Sequence, residues 1–130
     1  MDTRIKIVEA PPEFKTPWPD LAGPLVIVTG YFDILRAGHA RDLEHARDAA
    51  GAATLLAIVL PSPTALLPQR ARAELVAALR AVDYVVLADT AGAERLIASL
   101  HPAHVIHMEE ADERRAWQLH EHVRNRSRNA

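Results

Sequence analysis

Apolar positions along the chain change period several times, and each change marks an element. Residues 25–29 (LVIVT) are apolar on both faces, the pattern of a strand buried in a parallel sheet. The run breaks at Gly30. From His39 the period lengthens: His39, Leu43, Ala46 and Ala50 fall at i, i+4, i+7 and i+11, one stripe of a helix, while Arg41, Asp42, Glu44, Arg47 and Asp48 fill the other faces. Gly51 then suits a helix stop. Residues 54–60 (TLLAIVL) read as a second buried strand, closed by Pro61 and Pro63. A helix over 69–80 follows, with Leu75, Val76 and Leu79 expected inward. A third strand over 82–87, a helix over 91–100 carrying Leu96, Ile97 and Leu100, a short strand over 104–108 and a last helix over 111–124 with Trp117, Leu119 and Val123 complete the pattern.

Strand and helix alternate throughout, with long crossovers. That specifies an α/β fold: a parallel sheet covered by helices on both faces, a three-layer α/β/α arrangement. Ligands in such sheets bind beyond the carboxyl ends of the strands. The loops 29–38, 61–68, 88–90 and 107–110 are therefore expected to line one cleft. Before the first core strand, residues 4–8 suit a short edge strand. Pro11, Pro12, Pro17, Pro19 and Pro24 then exclude a regular helix. Residues 1–24 are read as a Pro-rich arm, with Trp18 as a packing residue, and 25–130 as the domain.

Composition narrows the function classes. The chain has 130 residues, a single-domain length, and is 49% hydrophobic, enough for a real core. Aromatics are only 5%, so that core must be built from Val, Leu, Ile and Ala. A net charge of −2 argues against a protein that coats nucleic acid. No apolar run approaches membrane-span length, and the N-terminus lacks the apolar segment of a signal peptide. Cysteine is absent, which excludes disulfides and thiolate metal sites and fits a cytoplasmic location. Seven histidines invite a metal reading. However, His104 and His107 fall on opposite faces of a strand, and His120 and His122 do not share a helix face, so no metal site is assigned.

The chemistry concentrates at the first strand–loop–helix unit. A helix start there presents unpaired N–H groups and a positive dipole end, which suits phosphate. No G-x-G-x-x-G and no G-K-[ST] occurs, so it is neither a dinucleotide fingerprint nor a Walker loop. Residues 30–39 (GYFDILRAGH) resemble the signature G-x-F-D-x-x-H-x-G-H of the cytidylyltransferase-like nucleotidyltransferases. Every fixed position matches except the first histidine, where Arg36 stands. Residues 71–89 and 100–102 resemble later segments of the branch that acts on heptose and glycerol phosphates.

The resemblance implies a Rossmann-like nucleotidyltransferase. In that reaction an acceptor phosphate oxygen attacks the α-phosphorus of a nucleoside triphosphate and pyrophosphate leaves, usually with a magnesium ion. His39 would be the catalytic histidine and Arg36 its partner, since guanidinium is a good phosphate ligand but cannot titrate near neutrality. Gly30, Tyr31, Phe32, Asp33, Gly38, His39 and Arg72 would bind nucleotide, and Arg70 and His107 the second substrate. Plainer roles stand beside these. Phe32 reads as a plug under the loop, with a wall of the base pocket as the alternative. Asp33 reads as a cap on backbone N–H groups, with magnesium binding as the alternative. Arg70 and Arg72 are either triphosphate contacts or solvated surface residues.

The departures from the pattern are Arg36, a shortened segment at 60–63, His107-Met108-Glu109-Glu110 in place of a lysine-bearing run, and lysines only at 6 and 15. They support a rival reading: a nucleotide-binding pseudoenzyme with a regulatory or assembly role. Relatives are often dimers, so a homo-oligomer is expected.

Overall fold

The computed structural model describes residues 6–8, 23–33, 35, 37–51 and 54–109. The expectations for the Pro-rich segment, Arg36, Trp18 and the last helix lie outside the described residues. The elements are β1 (Ile7–Val8), β2 (Leu25–Gly30), α1 (Ala37–Ala49), β3 (Thr54–Val59), α2 (Gln69–Ala77), β4 (Tyr84–Leu87), α3 (Thr90–Leu100) and β5 (His104–His107). All strand pairs are parallel, in the order β1-β4-β3-β2-β5. This is the expected α/β architecture. Ile7 and Val8 pair with Val85 and Val86, so residues ahead of the Pro-rich segment supply one edge of the sheet.

Alternation along each strand splits the core in two. Val26, Val28, Leu55, Ala57, Val59 and Val85 face one side and pack with Leu43 of α1 and Ala73, Val76 and Ala77 of α2. Leu25, Ile27, Leu56, Ile58 and Val86 face the other and pack with Ala93 and Leu96 of α3. Every residue of β2 and β3 is buried, which is why these strands carry no polar–apolar alternation in the sequence. Each fully buried Leu or Val contributes about 1.5–3 kcal/mol.

The helix ends follow local chemistry. Gly51 takes φ 58 just past α1, with its N–H on the Asp48 carbonyl, as a C′ glycine does. Asp89 caps α3 by accepting from the Gly92 N–H at 2.6 Å.

One helix face departs from expectation. Leu75 is 43% exposed, while Arg72, Ala73, Val76 and Ala77 are buried. The helix also ends at Ala77, so Leu79 packs on the core from the turn that follows. The inward stripe is rotated by about one position, which brings Ala73 and Ala77 in and turns Leu75 out, while Arg72 and Val76 stay buried.

The topology also has a strand-order reversal. From β2 the chain steps outward through β3 to β4, then returns to place β5 on the other flank of β2. Strand order reverses at β2, and the carboxyl end of such a strand is where α/β sheets form a binding crevice. The loop that begins at Gly30 starts there.

Candidate functional site

Gly30 closes β2 in extended backbone, and its carbonyl accepts the Leu60 N–H at 2.9 Å. The ends of β2 and β3 are thus bound together just as both chains leave the sheet. Phe32 follows at φ 52, a left-handed conformation rare for a bulky residue, with its ring fully buried in the α1/α2-side core. The plug reading of Phe32 describes this placement. Tyr31 packs instead toward the α3-side cluster, so successive side chains of the loop anchor on opposite sides of the sheet.

His39 lies in the first turn of α1 and is 3% exposed, with its ring centroid 6.3 Å from that of Phe32 at a 60° tilt. The structure buries this imidazole against the plug and does not leave it on an open rim. Gly38, one residue earlier, has nothing within 4 Å of where a Cβ would stand, so space is open beside the helix start.

Asp33 reaches across to the next loop. Its carboxylate accepts the Leu66 N–H at 3.0 and 2.9 Å and the Leu67 N–H at 3.0 Å. It therefore caps backbone N–H groups as expected, but on a segment more than thirty residues away. Both oxygens accept from the backbone in this placement. No group of three or more metal-ligating side chains occurs among the described residues.

Arg72 corrects the alternatives drawn from the sequence, because it is neither solvated nor presented outward. It is 2% exposed, with Nη1 donating to the Tyr31 carbonyl at 2.6 Å and the Leu60 carbonyl at 2.7 Å, and Nε to the Leu67 carbonyl at 3.1 Å. Burial lowers its pKa from the ordinary value, and the Asp33 carboxylate partly offsets this. The guanidinium remains charged at neutral pH. Arg70 lies on the exposed face of α2, with Nε 3.8 Å from Glu74 one turn on, a pairing worth little at such exposure.

On the other flank of β2, Thr29 stands in register with His107. Its Oγ1 lies 2.7 Å from His107 Nδ1. Glu109 Oε2 is 3.8 Å from the same nitrogen, and Glu109 Oε1 is buried without a hydrogen-bond partner. The exposed His107 ring is thus tied to Thr29 at the carboxyl end of β5, on the sheet face opposite Phe32 and His39.

Comparison with known proteins decides the family. The sequence profile of the cytidylyltransferase-like proteins matches residues 27–128, more than three-quarters of the chain. The chain belongs to the cytidylyltransferase-like family. An FAD synthase from Methanoculleus marisnigri is 35% identical over 81 residues, covering 59% of this chain and 54% of that protein. The chain thus spans about half the length of this curated relative. The crystal structure of a lipopolysaccharide core biosynthesis protein from Thermoplasma volcanium GSS1 superposes with a TM-score of 0.56 at 22% identity, over 63% of this chain and 71% of that one. At that identity the likeness speaks to the fold.

Within this cytidylyltransferase-like domain the structure gathers Gly30, Tyr31, Phe32, Asp33, Gly38, His39 and Arg72 around the end of β2. It sets His107 on the far flank of β2 and leaves Arg70 on the surface. Two contacts at the site have little signal in the sequence. Thr29 ends the first apolar run and opens the loop 29–38, but its contact with His107 depends on the β2–β5 register. Gln69 opens α2 and donates to the Val59 and Ala88 carbonyls at 2.9 and 3.2 Å, tying the ends of β3 and β4. Its place directly after Pro68, at a helix start facing the crevice edge, is the one signal that marks it.

Proposed function

We propose that this cytidylyltransferase-like domain transfers a nucleotidyl group from a nucleoside triphosphate to a small phosphorylated acceptor, a sugar or polyol phosphate, with release of pyrophosphate. An acceptor phosphate oxygen forms the new bond to the α-phosphorus as the bond to the pyrophosphate oxygen breaks, so no covalent enzyme intermediate is needed. The protein's tasks are to align two anions and to stabilise charge on the transferring group.

The observation that carries this reading is the placement of the motif. Gly30–Asp33 leaves β2 at the strand-order reversal, and the first turn of α1 brings His39 and an open space at Gly38 to the same edge. The helix N-terminus would take phosphate oxygens, His39 would join it on turning out from behind Phe32, and Arg36 would add the charge that the motif's first histidine supplies elsewhere in the family. A magnesium ion is proposed only as a companion of the triphosphate; no step of the transfer is routed through it.

A second reading is favoured by a specific observation. Among the described residues no lysine stands near the motif. Lys6, the lysine among the described residues, is committed to the Leu79 and Val82 carbonyls ahead of β4, at the opposite end of the sheet. A domain that binds nucleotide but turns over slowly or not at all fits that loss. Pyrophosphate release separates the two readings. ATP and CTP are each paired with sugar phosphates, polyol phosphates and FMN, the last because adenylyl transfer to it yields the product in the relative's name. Acceptor-dependent release supports the enzyme; nucleotide binding with background release in every pair rejects it. A cytoplasmic homo-oligomer is proposed as well, and light scattering at micromolar concentrations tests the oligomer.

A further inference from the structure

Two charged side chains at the motif make bonds that a phosphate-contact role would not require. Arg72 is almost wholly buried, and its Nη1 and Nε span carbonyls from three places: Tyr31 in the motif loop, Leu60 at the end of β3, and Leu67 in the loop before α2. Asp33 takes the N–H groups of Leu66 and Leu67. The Leu67 residue is thus held at both ends by opposite charges, its N–H by a carboxylate and its carbonyl by a guanidinium. Such charge-assisted bonds are stronger than neutral ones. The loop they hold has little else to fix it. Leu66 is 76% exposed and Leu67 37%, so burial does not order their backbone. Among the described residues the segment's other bonds are local, between Ser62 and Thr64, between Ala65 and Ser62, and from the Arg72 N–H to the Pro68 carbonyl.

We propose that Asp33 and Arg72 form a clasp that locks the loop before α2 onto the nucleotide-motif loop, and that Arg72 is a positioning residue rather than a phosphate ligand. Moving its guanidinium to a phosphate would strip the Tyr31 and Leu60 carbonyls of their donor, and an unpaired buried polar group is costly. The clasp sets where the loop before α2 lies against the motif loop, beyond the strand ends that the Leu60–Gly30 bond already ties. A triphosphate seated at the motif therefore finds both loops already placed. The ligand half of this proposal rests on the nucleotide-binding reading above; the clasp itself does not.

The test uses the full chain and three variants: Arg72→Lys, Asp33→Ala, and Arg80→Ala as a control exposed at the opposite sheet edge. Amide hydrogen exchange is followed at Leu66 and Leu67, with Val28 and Ile58 reporting an intact core. Affinity for ATP and CTP is measured by titration. Lysine keeps the charge but cannot span three carbonyls, so a phosphate-ligand role predicts near-normal affinity in Arg72→Lys and a clasp predicts loss. The expected result is exchange at Leu66 and Leu67 faster by about tenfold or more in both clasp variants, the factor that follows from losing one charged hydrogen bond. Core exchange stays unchanged, triphosphate affinity falls by a similar factor, and Arg80→Ala matches the parent. Unchanged loop exchange in a folded clasp variant overturns the clasp. Faster exchange with parental affinity overturns the positioning role. A parent that binds neither triphosphate overturns the nucleotide reading while the exchange data still decide the clasp. If Arg72→Lys fails to fold, Asp33→Ala, at a half-buried position, decides alone.

Discussion

Replacing Phe32 by alanine and by glycine sets two physical terms against each other. The ring is fully buried among Val28, Leu43 and Val76 of one core, and the residue stands at φ 52. Removing a buried phenylalanine side chain costs about 3–5 kcal/mol, so both variants lose that much. The left-handed backbone costs a residue with a Cβ roughly 1–2 kcal/mol. Alanine keeps that penalty and glycine sheds it. Against this, glycine gives up about 0.4–1 kcal/mol through its freer unfolded chain. The difference leaves Phe32→Gly ahead of Phe32→Ala by about 0.8 kcal/mol at mid-range, the reverse of the usual order. Equilibrium urea unfolding of the three proteins measures this, with the midpoints compared at a shared slope. Alanine more stable than glycine by its ordinary margin would falsify the left-handed assignment. A loss below ~1 kcal/mol for Phe32→Ala would show that the ring does not plug the core.

Other outcomes follow from single contacts. Asp89→Ala removes the α3 cap on the Gly92 N–H and should cost about 1 kcal/mol in the same assay; no loss would mean the cap is not formed. Gly92→Ala places a Cβ 3.0 Å from Asp89 Oδ1, so it should be destabilising in the parent and milder in an Asp89→Ala background, as a double-mutant cycle reads out. Asp83→Ala strands the buried Leu55 N–H and should cost about 1–3 kcal/mol, more than Arg47→Ala, whose own ion pair with Asp83 is partly solvated. A triphosphate at a hundred times its dissociation constant should stabilise the parent by about 2.7 kcal/mol; His39→Ala should lose most of that shift, and an equal shift in both places the ligand elsewhere. For Arg36, the enzyme reading expects Arg36→Ala to lower pyrophosphate release strongly and Arg36→His to change it modestly, whereas background release in all three proteins leaves only the binder.

The sheet was legible because its strands are buried on both faces and write themselves as unbroken apolar runs, as at 25–29 and 54–60. The motif was legible because its spacing is local: ten residues from Gly30 to His39 carry it. What the sequence hid depends on contacts between distant segments. Arg72 looks like a surface arginine on a helix, since nothing nearby reveals that carbonyls at 31, 60 and 67 converge on it. Leu75 looks like a core residue because it shares an apolar stripe with Val76 and Leu79, and the rotation of α2 that turns Ala73 and Ala77 in turns Leu75 out. Thr29 and His107 meet only once the β2–β5 register is known, and a shift of one residue would send His107 to the other face. The left-handed backbone at Phe32 has no signal at all in a residue that ordinarily avoids it.

The two-residue strand β1 has a consequence for how the protein is handled. Ile7 and Val8 cover the outer edge of β4, and without them the N–H and C=O groups of Val85 and Val86 would face water as an open template for another chain. A protein trimmed to begin at Leu25, at the start of β2, would keep its other strands and lose its edge guard. It should precipitate at lower concentration than the longer protein and age into β-rich aggregates, which turbidity and thioflavin binding would follow. The few residues ahead of the proline-rich segment thus work as a solubility device.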